Sequence, residues 1–317
     1  MGNNSYAKYI TITGFVELDK YRYVYFSIVF TVYVLIISSN SIIIYLILIH
    51  KNLHEPMYVF IAALSFNSVV FSTTVYPKLL IDFLSVQPVI SVSACIFQNF
   101  IYYSSGGSDF LLLLAMAFDR YVSICKPLQY PTIMRKTTVC LFLLGAWLVP
   151  DAQVAAGNFL LISQNPCIFT MTGIFCNNSY LILFCDSSNM LALYGVFILL
   201  NVVLLPVIFI LFTYAKILTI TYNSGREHRK KAAETCLPHL LVLFSFSFLC
   251  IYYVVIGIFQ SVFSKTLLLI MNLQVVLYNP LLNPVIYGLK MTEISKHLKI
   301  LFFHEKVFIL REYTVYE

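Results

Sequence analysis

Long apolar runs separated by short polar stretches set the pattern of this chain. Seven such runs lie near residues 24–49, 57–81, 95–118, 139–162, 191–215, 237–262 and 267–289. Each reaches the roughly 20 residues a helix needs to cross a hydrocarbon core about 30 Å thick. Apolar residues fill most positions within each run. Helices that face lipid on one side and other helices on the other have this pattern. A membrane barrel would instead alternate polar and apolar residues over segments of about ten. The first run starts late and is long, so it reads as a span and not as a cleaved signal peptide. The pattern predicts an all-α membrane protein built as a seven-transmembrane helix bundle. The expected organisation is an extracellular N-terminus over 1–23, the membrane domain over 24–289, and an amphipathic helix with a cytoplasmic tail over 290–317. No internal repeat or low-complexity segment interrupts it.

Composition agrees. Of 317 residues, 60% are hydrophobic and 11% charged, and the mean hydropathy is +0.85. A soluble domain carries roughly a quarter charged residues, so lipid must cover much of this surface. The net charge of +6 would suit a nucleic-acid partner. The basic residues, however, sit in short runs between the spans, so no nucleic acid is expected.

The same basic residues orient the chain, because short cytoplasmic loops concentrate Lys and Arg. Lys51, Lys126, Arg135, Lys136, Lys216, Arg226, Arg229, Lys230, Lys231, Lys290, Lys296, Lys299, Lys306 and Arg311 fall on one side. The other side holds little beyond Lys8, Lys20, Arg22, Lys78 and Lys265. The first set reads as cytoplasmic, and an odd number of spans then places the N-terminus outside, in a multi-pass plasma-membrane protein. Two glycosylation acceptor patterns, at Asn3 and Asn177, fall on the outer side. So do Cys95, Cys167, Cys176 and Cys185, where oxidising surroundings favour disulfides. Four cysteines allow three pairings, and spacing does not choose among them. Cys125, Cys140, Cys236 and Cys250 read as small buried hydrophobes.

Acids inside spans are costly and therefore informative. Asp151 follows Pro150 and reads as a water-reaching acid near a helix break. Asp109 lies deeper. It precedes Arg120 by 11 residues, or about 16 Å of helix. Tyr102, Gly106, Asp109, Leu113, Met116 and Arg120 follow one another by three or four, so they share a face that should point into the bundle. Asp109 is either a hydrogen-bonded structural acid or an ion or switch site.

Asp119-Arg120-Tyr121 at the end of the third span, with Asn283-Pro284-Val285-Ile286-Tyr287 at the end of the seventh, resembles the signature of rhodopsin-like G-protein-coupled receptors. More of the chain resembles the odorant receptor branch. Leu53-His54-Glu55-Pro56-Met57-Tyr58 is similar to its first-loop motif, and residues 116–125 to its third-helix signature. Pro127-Leu128 and Tyr130 continue the likeness. Lys231-Ala232, Thr235-Cys236 and His239 resemble its sixth-helix motif, and Pro280-Leu281-Leu282-Asn283-Pro284 completes the ordered set.

The resemblance implies a receptor that takes a small organic odorant, activates a stimulatory G protein and raises cyclic AMP. Its partners would be the odorant, a heterotrimeric G protein and membrane lipid, with no cofactor. It implies pairs Cys95–Cys176 and Cys167–Cys185. It implies a pocket lined by Tyr102, Tyr103, Gly106, Ile198, Val202, Ser247, Cys250 and Val254, without an amine-anchoring acid. Asp119, Arg120, Tyr121, Tyr214, His239, Asn283, Pro284 and Tyr287 would form the coupling machinery. The bland reading of most tyrosines is an interfacial belt, and that of His239 a satisfied core histidine. Residues 290–303 carry Ile294, Leu298, Leu301 and Phe302 among Lys296, His297 and Lys299, an amphipathic pattern that resembles the family's short eighth helix.

Three departures stand out. Asn67 and Ser68 occupy the region of the family's usual second-helix acid, Ser39-Asn40 replaces Gly-Asn, and Phe246-Ser247 replaces Phe-Tyr. The first leaves Asp109 as a weak sodium site at most, with Ser68, Asn279 or Asn283 as its expected partners. A transporter or channel would show internal repeats and broken helix pairs. An intramembrane enzyme would need a paired carboxylate, a Ser/His set or a metal cluster. Neither pattern is present.

Overall fold

The apolar runs become helices because, in lipid, a backbone must satisfy its own hydrogen bonds. A computed structural model describes residues 9–162, 167–177, 184, 189–222, 226–259 and 263–301. Asn3, Cys185 and the tail beyond residue 301 lie outside the described residues, as do the side chains of Val254, Asn279, Lys231, Ala232 and Thr235. The helices are α1 (Leu18–Ile49), α2 (Pro56–Leu84), α3 (Val92–Cys125), the short α4 (Tyr130–Ile133) and α5 (Lys136–Ile162). Next come α6 (Asn189–Ile198), continued through a π turn (Leu199–Leu204) into α7 (Leu205–Tyr222), then α8 (Arg226–Phe259) and α9 (Lys265–Lys290). Residues 292–301 form α10. With α6, the π turn and α7 counted as one span, the described residues form a seven-transmembrane bundle.

Six of the predicted spans fall within these helices, the fifth within the α6–α7 unit, and the sixth, 237–262, overruns the end of α8 into residues 260–262, outside the described residues; most of the helices run longer. α1 begins at Leu18 instead of 24, and α8 at Arg226 instead of 237. Hydropathy marks only the part in lipid. Arg, Lys, Glu and Ala are good helix formers and carry the helix onward. Pro150 lies inside a continuous α5, so the expected break is not there, and Asp151 is half-buried. Cys140, expected to be buried, is exposed on α5.

Taken singly, α1, α2, α5 and the α6–α7 unit are long and apolar enough to cross a membrane. α3 is not, because it carries Asp109, Asp119 and Arg120. It is the inner helix of the bundle, packed against α2, α5, α7 and α8. A helix walled in by protein need not suit lipid. α9 bends by 42° between Tyr278 and Pro280. Pro280 and Pro284 lack the N–H that a straight helix would use.

The helical reading missed a small sheet. β1 (Tyr9–Ile12) pairs antiparallel with β2 (Val89–Ser91) and parallel with β3 (Thr170–Met171). It thus stitches the N-terminal segment to the start of α3 and to the loop between α5 and α6. Ile10, Ile12, Ile90 and Met171 pack there around the disulfide between Cys95 and Cys176. Gly14 leaves β1 with no room for a side chain. A Cβ there would come within 2.5 Å of the carbonyl oxygens of Thr172 and Gly173.

Candidate functional site

The polar centre of the bundle starts at Asp109 of α3, which is 2% exposed. Asn67 of α2 donates from Nδ2 to Asp109 Oδ1 at 2.7 Å and to the Ser105 carbonyl at 2.8 Å. Asn67 is not among the expected partners Ser68, Asn279 and Asn283; of these, Ser68 accepts from Asn283 Nδ2 of α9 at 3.3 Å, and the Asn279 side chain lies outside the described residues. One residue along a helix turns the side chain by about 100°, so neighbours on α2 serve different helices. A second amide explains itself through proline. Pro284 cannot donate to the Pro280 carbonyl, and Asn40 Nδ2 of α1 fills that place at 3.0 Å. Asn40 Oδ1, Asn283 Oδ1 and the hydroxyls of Ser65 and Ser72 are buried without a partner among the described residues. Among the described residues no three His, Cys, Asp or Glu side chains cluster as metal ligands. Any cation here would rest on one carboxylate and neutral oxygens.

At the end of α3, Asp119 is fully buried and shares its two oxygens. Arg120 donates to Oδ2 from Nη2 at 2.6 Å and from Nε at 3.0 Å. Tyr130 of α4 donates to Oδ1 at 2.7 Å. Burial first, and then the Asp119 carboxylate, push the Tyr130 hydroxyl well above the usual tyrosine range. It therefore stays a donor at physiological pH. Tyr121 is half-buried against the same core.

Tyr214 of α7, His239 of α8 and Tyr287 of α9 are all buried. The rings of His239 and Tyr287 lie 5.7 Å apart. Neither tyrosine hydroxyl, and neither ring nitrogen of His239, has a partner among the described residues. An interfacial belt would place these hydroxyls at the membrane surface. Instead the two tyrosines sit inside the main hydrophobic core. His239 is buried, and no partner among the described residues satisfies it.

The residues implied as ligand-binding are spread along three helices. Tyr102 packs against Phe71, Phe175 and Tyr103, with ring centroids 5.6, 5.3 and 5.0 Å away. A Cβ on Gly106 would meet nothing within 4 Å, whereas one on Gly107 would lie 2.8 Å from both Pro150 and Val202. Val202 is thus held against α3 by the π turn, and Ile198, half-buried, precedes that turn. On α8, Ser247 Oγ is buried without a partner among the described residues, and Cys250 is half-buried. An apolar groove of about 460 Å3 forms between α3 and α7, with Asn201 of the π turn in its lining. Among the described residues, none of those implied as ligand-binding lines it. It opens outward, where Leu205 and Phe212 are 57% and 56% exposed.

Above the bundle, Cys95 and Cys176 are joined and Cys167 is disulfide-bonded. Asn177, the second glycosylation candidate, directly follows Cys176. It is 3% exposed, and its Nδ2 donates to Asn272 Oδ1 at 3.2 Å. A bulky glycan needs a surface nitrogen, so this amide is a poor carrier.

Asn67, Asn40 and Tyr130 were missed as site residues. For the two asparagines the available signal was an amide inside an apolar run, where an unpaired polar group is costly.

The family model for olfactory receptors matches residues 29–305. Human olfactory receptor 51E1 is 32% identical over 307 residues, covering 95% of this chain and 95% of that protein. The dog olfactory receptor-like protein OLF4 is 31% identical, covering 92% and 94%. Mouse olfactory receptor 4B13 is 31% identical, covering 95% and 98%. With its seven-helix bundle, this chain belongs to the olfactory receptor family of G-protein-coupled receptors and is a multi-pass membrane receptor, not an enzyme.

Proposed function

We propose that this receptor binds a small organic odorant within the bundle, between α3, the α6–α7 unit and α8, and then activates a stimulatory, olfactory-type G protein to raise cyclic AMP. The observation that carries the reading is the shared Asp119 carboxylate. It holds Arg120 on one oxygen and Tyr130 on the other. Arg120 is a permanent cation. Released from Asp119, it would meet the G-protein tail while the buried Tyr214 and Tyr287 find polar partners. The two tyrosine hydroxyls, which have no partner among the described residues, support that second step, because a buried hydroxyl without a partner favours any rearrangement that supplies one.

In this reading residues 1–23 face outward with Asn3 glycosylated, 24–289 form the membrane domain, and 290–317 lie at the cytoplasmic face of the plasma membrane. α10 lies along the membrane surface. Ligand contacts fall to Tyr102, Tyr103, Gly106, Ile198, Val202, Ser247, Cys250 and Val254, and Cys167 pairs with Cys185. Asp109 serves at most a weak sodium site, as a lone carboxylate among amides and hydroxyls. The test is ligand-stimulated cyclic AMP in cells expressing the olfactory G protein. Arg120→Ala should abolish the response while surface expression persists. Normal signalling by that variant would remove the coupling role.

A further inference from the structure

The groove between α3 and the α6–α7 unit holds one polar side chain in an apolar wall. Leu111 and Leu114 form one side, and Leu205, Phe209 and Phe212 the other. Asn201 lies within the π turn. It sits eight residues inside the apolar stretch Leu193–Tyr222, about 12 Å along the helix. Its Nδ2 donates to the Phe197 carbonyl at 2.8 Å, which fixes the amide. The remaining acceptor, Oδ1, has no partner among the described residues.

We propose that this groove is a second binding site, reached through the bilayer, for a membrane-dissolved amphiphile with an apolar body and one hydroxyl, of the medium-chain alcohol type. The argument is one of mutual need. In hydrocarbon an acceptor without a donor is costly, and so is a hydroxyl without an acceptor. A lipid acyl chain fills the groove but leaves Asn201 unpaired. A dissolved alcohol fills it and pairs both groups. The volume, about 460 Å3, lies in the range of small-molecule sites. The site is separate from the eight residues of the proposed pocket and does not depend on them.

Purified receptor in phosphatidylcholine nanodiscs would be photolabelled with a diazirine-bearing medium-chain alcohol, and in parallel with the matching alkane. Labelled peptides would be mapped by mass spectrometry. The alcohol should label the segments containing Leu111–Leu114 and Leu205–Phe212, and excess octan-1-ol should suppress it. Replacing one intramembrane hydrogen bond should weaken apparent affinity about five- to thirty-fold in Asn201→Leu. Leu suits lipid, so this variant should fold. Ile208→Trp, which narrows the groove and keeps the amide, should lose labelling as well. Equal saturable labelling by the alkane would reduce the groove to an acyl-chain contact. Undiminished labelling of Asn201→Leu, or no labelling at these segments, would overturn the proposal.

Discussion

Tyr130 and Asp119 stand 11 residues apart in the chain and 2.7 Å apart in the fold, hydroxyl to carboxylate. The bond pins the short α4 to the end of α3 and takes the oxygen that Arg120 leaves. A hydrogen bond to a charged group is worth about 1.5–3 kcal/mol. If it exists only in the resting state, its loss shifts the resting–active balance by tenfold or more. Tyr130→Phe should therefore raise basal cyclic AMP with surface expression intact. An unchanged basal level would make the bond a fixed strut present in both states.

Gly106 and Gly107 should behave oppositely although adjacent. A side chain at Gly106 enters open space, and at Gly107 it strikes Pro150 and Val202. Gly106→Leu should reach the cell surface and reduce or redirect the ligand response. Gly107→Leu overpacks a helix contact, at a typical cost of about 1–3 kcal/mol, and should lower surface expression. Equal expression of both, measured by flow cytometry, would contradict the geometry. An unchanged dose–response curve for Gly106→Leu would place the pocket elsewhere.

At Asp109 the two neutral replacements separate structure from switching. Asp109→Asn keeps an oxygen for the Asn67 amide, so it should fold and shift basal activity. Asp109→Leu strands that buried donor at a cost of about 1–3 kcal/mol, and expression should fall. Replacing external sodium by a bulky organic cation should change the parent's ligand potency only slightly, because one carboxylate stands where a stronger site would have two. A large sodium effect that vanishes in Asp109→Asn would establish a full sodium switch instead.

Glycan mapping follows from burial. Asn3→Gln should remove the glycan-dependent mobility shift on a gel, and Asn177→Gln should leave it. A shift lost only in Asn177→Gln would mean that the Asn177–Asn272 bond does not form in the mature receptor.

The sequence by itself determined the bundle, most of each span, and that one face of α3 points inward. These rest on local quantities: about twenty apolar residues cross the membrane, and a helix carrying Asp109, Asp119 and Arg120 must be walled in by others. Helical spacing alone puts Tyr102, Gly106, Asp109, Leu113, Met116 and Arg120 on one face, of which Asp109, Leu113 and Met116 are buried and the other three half-buried. Tertiary structure decided who meets whom. Whether Asn67 or Ser68 faces Asp109 depends on how α2 is rotated against α3, and both residues are equally polar on paper. The pairing of Asn40 with the carbonyl freed by Pro284 links α1 to α9 across 240 residues. The sheet joins three segments too short and too distant to announce pairing. Asn177 reads as a surface sequon until Asn272 covers it. Hydropathy records how each residue feels about lipid or water, whereas hydrogen-bond partners depend on rotations and offsets between helices that no single segment encodes.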